Sequence, residues 1–384
     1  MNRHLYTPLR HLTAVGLSAV LLSGCGDSAP VSIPASPSVP VPGTPAPTPK
    51  VRFIAFGDAG RANDNQNAVG AAMAQVCAAK GCEFALETGD NFYDAGVSST
   101  TDAQWQTKFE LPYKDLNIPF YPTLGNHDNS SDLGEQIGAG EGFSNARGNF
   151  QVDYTIQAGT SGRWKLPKRY HSFTAPLTPV AGADPLIEFF CLDSSPLAAT
   201  LPNPAEVGFN YLTYGPTQMQ WFQQGLTNTK ARWTIAYAHH PYVSNGSHGN
   251  AGTFEGLPET FPGTSNGKPW KDLLDASACA MGLDLFMFGH DHLLEWLKPV
   301  PSCNDKTEFI LTGAGSDVRE YADQSRNPTF FQQDLTQGFF WFEVTANTLT
   351  GEAYLLKPDA SGALKLTLDA AGKPMPSFVR TVRK

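Results

Sequence analysis

Short apolar runs of strand-forming residues alternate with segments of helical periodicity along most of the chain. Continuous or alternating apolar residues are typical of strands, whereas apolar residues recurring every three to four positions indicate a helix. These patterns predict strands at 51–56, 84–86 and 120–124, with helices at 65–79 and 103–111 between them. This βαβαβ order is typical of an α/β fold.

Strand-like and helical segments continue to alternate further along the chain, and the last predicted segments are all strands. Residues 129–172 are rich in Gly and Ser and predict a long excursion between regular elements. We expect residues 51–384 to form one α/β domain, with two packed mixed β-sheets flanked by helices. The remaining predicted elements are strands at 186–192, 233–238 and 283–288, a helix at 217–226, and antiparallel strands at 309–312, 338–344 and 351–356.

The first 50 residues have a different composition. Residues 1–24 have the basic start and short apolar stretch of a secretory signal peptide. Leu22-Ser23-Gly24-Cys25 resembles a bacterial lipobox, which implies a lipoprotein anchored through acyl chains on Cys25. An ordinary signal peptide with an incidental cysteine is the alternative. Residues 25–50 hold eight prolines and predict an extended tether. The expected location is the cell envelope, at the outer membrane or periplasm, or outside the cell.

The charge balance narrows the possible partners. The formal net charge is −9, and without residues 1–24 the chain has 25 basic and 36 acidic side chains. This acidic balance argues against nucleic acid as a partner and gives no help toward binding an anionic membrane surface. No apolar stretch reaches 18 residues, so no transmembrane helix is predicted.

Five cysteines follow Cys25, an odd number for an oxidising compartment. Cys77 and Cys82 are close enough in sequence for a small disulfide, and Cys279 could pair with Cys303. Cys191 lies inside an apolar strand pattern, which predicts a free thiol in the core.

Five of the predicted strands stop at a small residue that is followed by residues of metal-ligand type. Loops at strand ends can gather side chains from distant parts of the sequence around an ion. A lone histidine there is usually a hydrogen-bonded loop residue, but coincidence across five loops is far less probable. The candidates are Asp58, then Asp90 and Tyr93, then Asn126 and His127, then His239, and finally His290 and His292.

These five motifs resemble those of the metallophosphoesterase superfamily, and within it those of the small, tartrate-resistant type of purple acid phosphatase. They follow the order of that family within residues 51–356, where Gly215-Pro216-Thr217-Gln218 and Thr312-Gly313-Ala314-Gly315 also look like family segments. The resemblance implies a calcineurin-like sandwich of two mixed β-sheets.

One substitution points to the purple acid phosphatases within the superfamily. Most metallophosphoesterases read Asp-x-His in the first motif, whereas Gly60 occupies the position of that histidine here. Tyr93 lies three residues after Asp90 and would supply a phenolate, a hard anionic ligand suited to Fe(III). Tyr93 as a packing aromatic is the alternative.

The resemblance also implies a role for each candidate. Asp58, Asp90, Tyr93 and His292 would hold Fe(III), and Asp90, Asn126, His239 and His290 would hold a divalent Fe, Zn or Mn ion, so that Asp90 is shared. His240 remains an alternative to His239, because the register is open to a shift of one residue. His127 would be the proton donor to the leaving group, and His248 a second catalytic histidine of the substrate pocket.

The function implied is that of a monomeric acid phosphatase that hydrolyses phosphate monoesters by in-line attack of a metal-bound hydroxide. A phosphodiesterase or nucleotidase on the same fold is the alternative, since the metal site would be shared. A binding or envelope protein with a silent site is disfavoured, because all seven expected ligands are present.

Overall fold

A computed structural model describes residues 49–130, 144–198, 206–209, 211–257 and 266–384. The predicted signal peptide, Cys25 and nearly all of the tether lie outside the described residues. All described residues belong to a single unit, Thr48–Lys384. Within these ranges, no helix combines the length and the hydrophobicity that a membrane span requires.

The described residues form two β-sheets of seven strands each. Most strands are rich in Phe, Ile, Leu and Val, which pack well on a buried pleated surface. In chain order the strands are β1 Val51–Phe56, β2 Phe84–Glu87, β3 Phe120–Pro122, β4 His171–Ala175, β5 Ile187–Cys191, β6 Trp233–Tyr237, β7 Leu285–Phe288, β8 Leu294–Leu297, β9 Glu308–Thr312, β10 Thr329–Gln333, β11 Gly338–Val344, β12 Thr348–Pro358, β13 Leu364–Leu366 and β14 Phe378–Arg383.

Helices connect and cover the strands. They are α1 Asp64–Lys80, α2 Asn126–Asn129, α3 Gly148–Tyr154, α4 Ser195–Ala198, α5 Tyr211–Asn228 and α6 Lys268–Leu274. Helix α1 begins at the N-cap Asn63, whose side chain accepts a hydrogen bond from the backbone N–H of Gln66. Single helical turns occur at Gln106–Glu110, Phe254–Gly256, Asp275–Cys279 and Pro301–Cys303.

Both sheets mix parallel and antiparallel pairs. The first has the order β13-β12-β11-β1-β2-β3, with β14 beside β12, and its parallel strands are β1, β2 and β3. The second has the order β10-β8-β9-β7-β6-β5-β4, and its parallel strands are β5, β6, β7 and β9. The expected fold class, two mixed β-sheets flanked by helices, is confirmed.

Aromatic side chains fill the space between the two sheets. Phe53 of β1 packs edge-on against Phe189 of β5, with ring centroids 5.3 Å apart. Trp296 of β8 lies 6.2 Å from Phe342 of β11. All four are buried, and each such ring contributes roughly 1.5–3 kcal/mol by leaving water. This packing holds the two groups of parallel strands in fixed positions relative to one another.

The structure corrects several element predictions. Segment 309–312 was expected to pair only antiparallel, but β9 lies parallel to β7 and antiparallel to β8. Strand β8 was missed because it follows the His292 motif after only one residue. The helix predicted at 103–111 consists mainly of a π-helical turn, Gln106–Glu110, and the helix predicted at 217–226 extends over all of α5.

The cysteine predictions agree with the structure. Cys77 forms a disulfide with Cys82, and Cys279 forms one with Cys303. Cys191 is a free, buried thiol. Closing the 24-residue separation between Cys279 and Cys303 should stabilise the fold by about 3 kcal/mol.

Candidate metal centre

The carboxyl ends of parallel strands from both sheets meet at one site. Asp58 follows β1, Asp90 follows β2 and Asn126 follows β3, while His239 follows β6 and His290 follows β7. Backbone hydrogen bonds tie these loops together. The Asp58 N–H donates to the Gly89 carbonyl oxygen at 3.0 Å, and the His290 N–H donates to Asp58 Oδ2 at 3.0 Å. The topology thus brings together residues that are more than 230 positions apart.

Three predicted ligands form one half of the site. The Tyr93 hydroxyl donates to Asp58 Oδ1 at 3.1 Å and lies 3.1 Å from His292 Nε2. His292 Nε2 is 3.6 Å from Asp58 Oδ1. All three side chains are buried.

Three further predicted ligands, Asn126, His239 and His290, form the other half of the site. His239 Nε2 lies 2.7 Å from Asn126 Oδ1 and 3.1 Å from His290 Nδ1. His290 Nδ1 is itself 3.1 Å from Asn126 Oδ1. Atoms bound to one metal ion at about 2.0–2.2 Å lie about 3 Å from one another, so these spacings suit a shared cation.

Asp90 lies between the two halves. Its Oδ2 is 3.4 Å from His239 Nε2, and ligand atoms of Asp58, Asp90 and His239 all fall within 4.8 Å of one another. Its Oδ1 accepts a hydrogen bond from the backbone N–H of His127 at 3.0 Å. Asp90 is therefore in a position to contact cations in both halves.

The backbone around the ligands is unusual. Asp58, Asp90 and His290 have φ values of 56°, 53° and 72°, in the left-handed region that non-glycine residues rarely adopt. Such strain collects at functional sites. A Cβ atom at Gly60 would lie 2.1 Å from the carbonyl oxygen of Asn91, so position 60 has no room for a histidine side chain.

Two of the three imidazoles, His290 and His292, are held neutral, whereas burial acts to lower the pKa of His239 but the charge of Asp90 outweighs it and raises that pKa to about 9. A cation bound by His239 would have to displace this proton. His239 Nδ1 lies 2.9 Å from the Thr88 carbonyl oxygen; donation to that oxygen leaves the lone pair on Nε2 for the site. Burial, followed by the charge of Arg319, lowers the pKa of His292 to about 3. Burial and the neighbouring His248 and His240 hold the pKa of His290 well below its usual range.

The two aspartates are electrostatically unequal. Burial raises the pKa of Asp58 to about 8, and the charge of Asp90 adds to this although His239 opposes it. Burial also acts to raise the pKa of Asp90, but His239 and His127 outweigh it and hold that pKa below its usual range. A multivalent cation would favour the ionised form of both carboxylates. The donor set therefore fits two metal ions.

The predicted catalytic histidines lie beside the candidate ligands. The His127 ring is half-buried, with its centroid 4.4 Å from that of Tyr93, and its Nδ1 is 2.8 Å from the Asp94 carbonyl oxygen. The His248 ring lies 4.0 Å from that of His290.

His240 has different contacts from His239. Its Nδ1 lies 2.8 Å from the Ser194 hydroxyl, and its ring centroid is 4.4 Å from that of His290. His240 therefore packs against a candidate ligand, whereas His239 is the one in contact with Asn126.

Sequence reasoning missed several residues around the site. Asp128 is buried and accepts backbone hydrogen bonds from Gly125, Asn91 and Phe92 at 2.7–3.1 Å. Because Asp128 lies only two residues after the candidate ligand Asn126, the sequence could have pointed to it. Nothing in the sequence pointed to Arg319 or to Arg61, whose guanidinium lies 3.8 Å from the Tyr93 ring centroid.

Comparison with known proteins gives matches over most of the chain. The family model described as calcineurin-like phosphoesterase matches residues 51–294. Tartrate-resistant acid phosphatase type 5 of Mus musculus is 25% identical over 354 residues, covering 86% of this chain and 93% of the mouse protein. Purple acid phosphatase 4 of Arabidopsis thaliana is 27% identical over 331 residues, covering 83% of each chain.

A solved structure supports the fold. GAP50, described as the anchor in the inner membrane complex of Plasmodium, superposes with a TM-score of 0.62 at 18% identity, covering 87% of this chain and 89% of the Plasmodium chain. At that identity the likeness concerns the fold alone, and the chemistry must be argued from the site.

Proposed function

Because the chain belongs to the calcineurin-like phosphoesterase family, we propose that it is a dinuclear-metal acid phosphatase of the purple, tartrate-resistant type, acting on phosphate monoesters. The observation that carries this proposal is the contact of the Tyr93 hydroxyl with both Asp58 and His292. A phenol oxygen grouped with a carboxylate and an imidazole makes a ligand set suited to Fe(III).

The proposed ligand sets follow the two halves of the site. Asp58, Asp90, Tyr93 and His292 would hold Fe(III). Asp90, Asn126, His239 and His290 would hold a divalent iron, zinc or manganese ion. Two such cations, when bound, neutralise phosphoryl charge and lower the pKa of water so that hydroxide is available at acidic pH.

Two histidines are proposed to handle protons and substrate. His127 Nδ1 donates to the Asp94 carbonyl oxygen, so it is the doubly protonated imidazolium that would carry a second proton, on Nε2, for the leaving oxygen. The backbone N–H of His127 is bound to Asp90 Oδ1, which ties the donor to the shared ligand. His248, packed on His290, would contact the substrate from the side of the divalent site.

The proposal is tested with the full-length protein produced with iron and zinc in the medium. Metal content, visible absorption and turnover of an aryl phosphate and a bis-aryl phosphate are measured between pH 4 and pH 8. We expect about two metals per chain, a visible charge-transfer band, and faster monoester hydrolysis at acidic pH. An iron-free, colourless protein would contradict the purple acid phosphatase assignment. Faster hydrolysis of the bis-ester would instead support the phosphodiesterase alternative.

A binding protein with a silent site remains the competing class, since the fold alone does not require catalysis. The convergence of all seven proposed ligands speaks against it. A metal-loaded protein that turned over neither ester would favour it.

A further inference from the structure

We propose that Arg319, together with His248, forms the cradle that binds the non-bridging oxygens of the substrate phosphoryl group. This inference rests on the proposed phosphatase function and identifies a substrate-binding residue for which the sequence carried no signal. Arg319 Nη1 is 3.3 Å from His248 Nε2, and the His248 ring lies 4.0 Å from that of the proposed ligand His290.

The backbone anchors Arg319 to the metal centre. Its N–H donates to the carbonyl oxygen of His292 at 3.0 Å, so the residue is held one hydrogen bond away from a proposed ligand. The side chain itself is exposed. Arg319 is therefore fixed at its base while its guanidinium can reach a bound anion.

Among the described residues, Arg319 forms no salt bridge with a carboxylate. Arg61, which lies beside Tyr93, differs in this respect: it contacts Asp94, and its Nε lies 2.9 Å from Asp317 Oδ2. A guanidinium already paired with two carboxylates has little capacity left for a substrate. Of these two arginines, Arg319 is therefore the one whose positive charge is available to an incoming phosphate.

Glu255 orients His248 toward this cradle. Its carboxylate contacts His248 Nδ1, and its backbone N–H donates to the His248 carbonyl oxygen at 3.0 Å. Glu255 also has a φ of 58°, a conformation that costs energy in a non-glycine residue. With Nδ1 engaged by Glu255, Nε2 is the ring nitrogen that faces Arg319 Nη1 and can hold its guanidinium in place.

The chemistry of this pair suits a phosphate monoester. A guanidinium presents parallel N–H donors that match two oxygens of one phosphoryl group. A monoester has three non-bridging oxygens and one or two negative charges, whereas a diester has two non-bridging oxygens and one negative charge. The contribution of Arg319 should therefore be larger for monoesters than for diesters.

The test compares the metal-loaded wild type with Arg319→Met and Arg319→Lys. The matched control is Arg383→Met, the same change at an exposed position on β14. Binding of inorganic phosphate is measured by calorimetry at pH 5, and KM and kcat are measured for an aryl phosphate and a bis-aryl phosphate. Metal content and the visible band report whether the centre is intact.

We expect Arg319→Met to weaken phosphate binding and to raise KM for the monoester by about 10- to 100-fold, with a smaller change in kcat. Arg319→Lys should recover part of the affinity, and Arg383→Met should match the wild type. Unchanged phosphate affinity in Arg319→Met, or loss of its metals, would overturn the assignment. Because phosphate binding requires no turnover, a wild type that binds phosphate but hydrolyses no ester would refute the proposed function instead.

Discussion

The hydroxyl of Tyr93 lies 3.1 Å from Oδ1 of Asp58, although 35 residues separate the two in the sequence. They meet because β1 and β2 are parallel neighbours whose following loops are joined by hydrogen bonds, including one from the Tyr93 N–H to the Gly60 carbonyl at 2.9 Å. The backbone that occupies the space beside Gly60 is thus the same segment that delivers the phenol. A histidine at position 60 would therefore collide with the segment that carries Tyr93.

The first prediction concerns the colour of the metal centre. Tyr93→Phe removes the phenol oxygen while keeping the buried ring, so the metal-loaded variant should lack the visible charge-transfer band. Tyr121→Phe is the control, because that ring stacks on Phe173, with centroids 3.9 Å apart, away from the site. Absorption spectra recorded with iron content check this. A band of wild-type intensity in Tyr93→Phe would mean that the phenol is not an iron ligand.

The second prediction concerns proton donation to the leaving group. His127→Ala should lower kcat by roughly 10²–10⁴ while both metals stay bound. Because a good leaving group needs less protonation, the loss should shrink for aryl phosphates whose phenols are more acidic. Kinetics over a series of aryl phosphates measure this dependence. An equal loss for every leaving group would argue against a general acid at this position.

The third prediction concerns the frame beneath the ligands. Asp128 accepts backbone hydrogen bonds from both the Asp90 loop and the Asn126 loop, and it is buried. Asp128→Ala leaves these donors without partners, which should cost about 2–4 kcal/mol and weaken metal binding. Urea unfolding and metal titration provide the measurements. Asp153→Ala, at a more exposed position on α3, is the comparison.

Part of the fold and part of the candidate site could be predicted from the sequence alone. Strands β1, β2, β6 and β7 and the side chains after them were predictable, because a buried strand followed by a ligand-type residue is a local pattern. Arg319 was not, because its importance comes from a contact with His248, 71 residues away. The parallel pairing of β9 was likewise missed, since it depends on β8 inserting beside it at the edge of the parallel strands.

The last prediction concerns stability and pH. Glu295 on β8 is buried; its Oε2 accepts a hydrogen bond from the Asn245 N–H at 3.2 Å, while Oε1 lacks a partner in the described residues. Burial, despite that hydrogen bond, raises the pKa of Glu295 from 4.5 to about 8. Between these values the folded state keeps a proton that the unfolded state has released, so this residue makes stability fall as pH rises from 4.5 to 8.

Glu295→Gln keeps the shape of the side chain but cannot ionise. The variant should therefore lack the part of the stability loss at rising pH that Glu295 causes. Relative to the wild type, the variant should gain on the order of 2–4 kcal/mol in unfolding free energy on going from pH 5 to pH 8. Urea unfolding of both proteins at the two pH values measures the difference, and taking the difference cancels any pH effect of the metals. Glu320→Gln, at an exposed position, is the matched control. A Glu295→Gln curve parallel to that of the wild type would show that Glu295 is already ionised in the fold at pH 5.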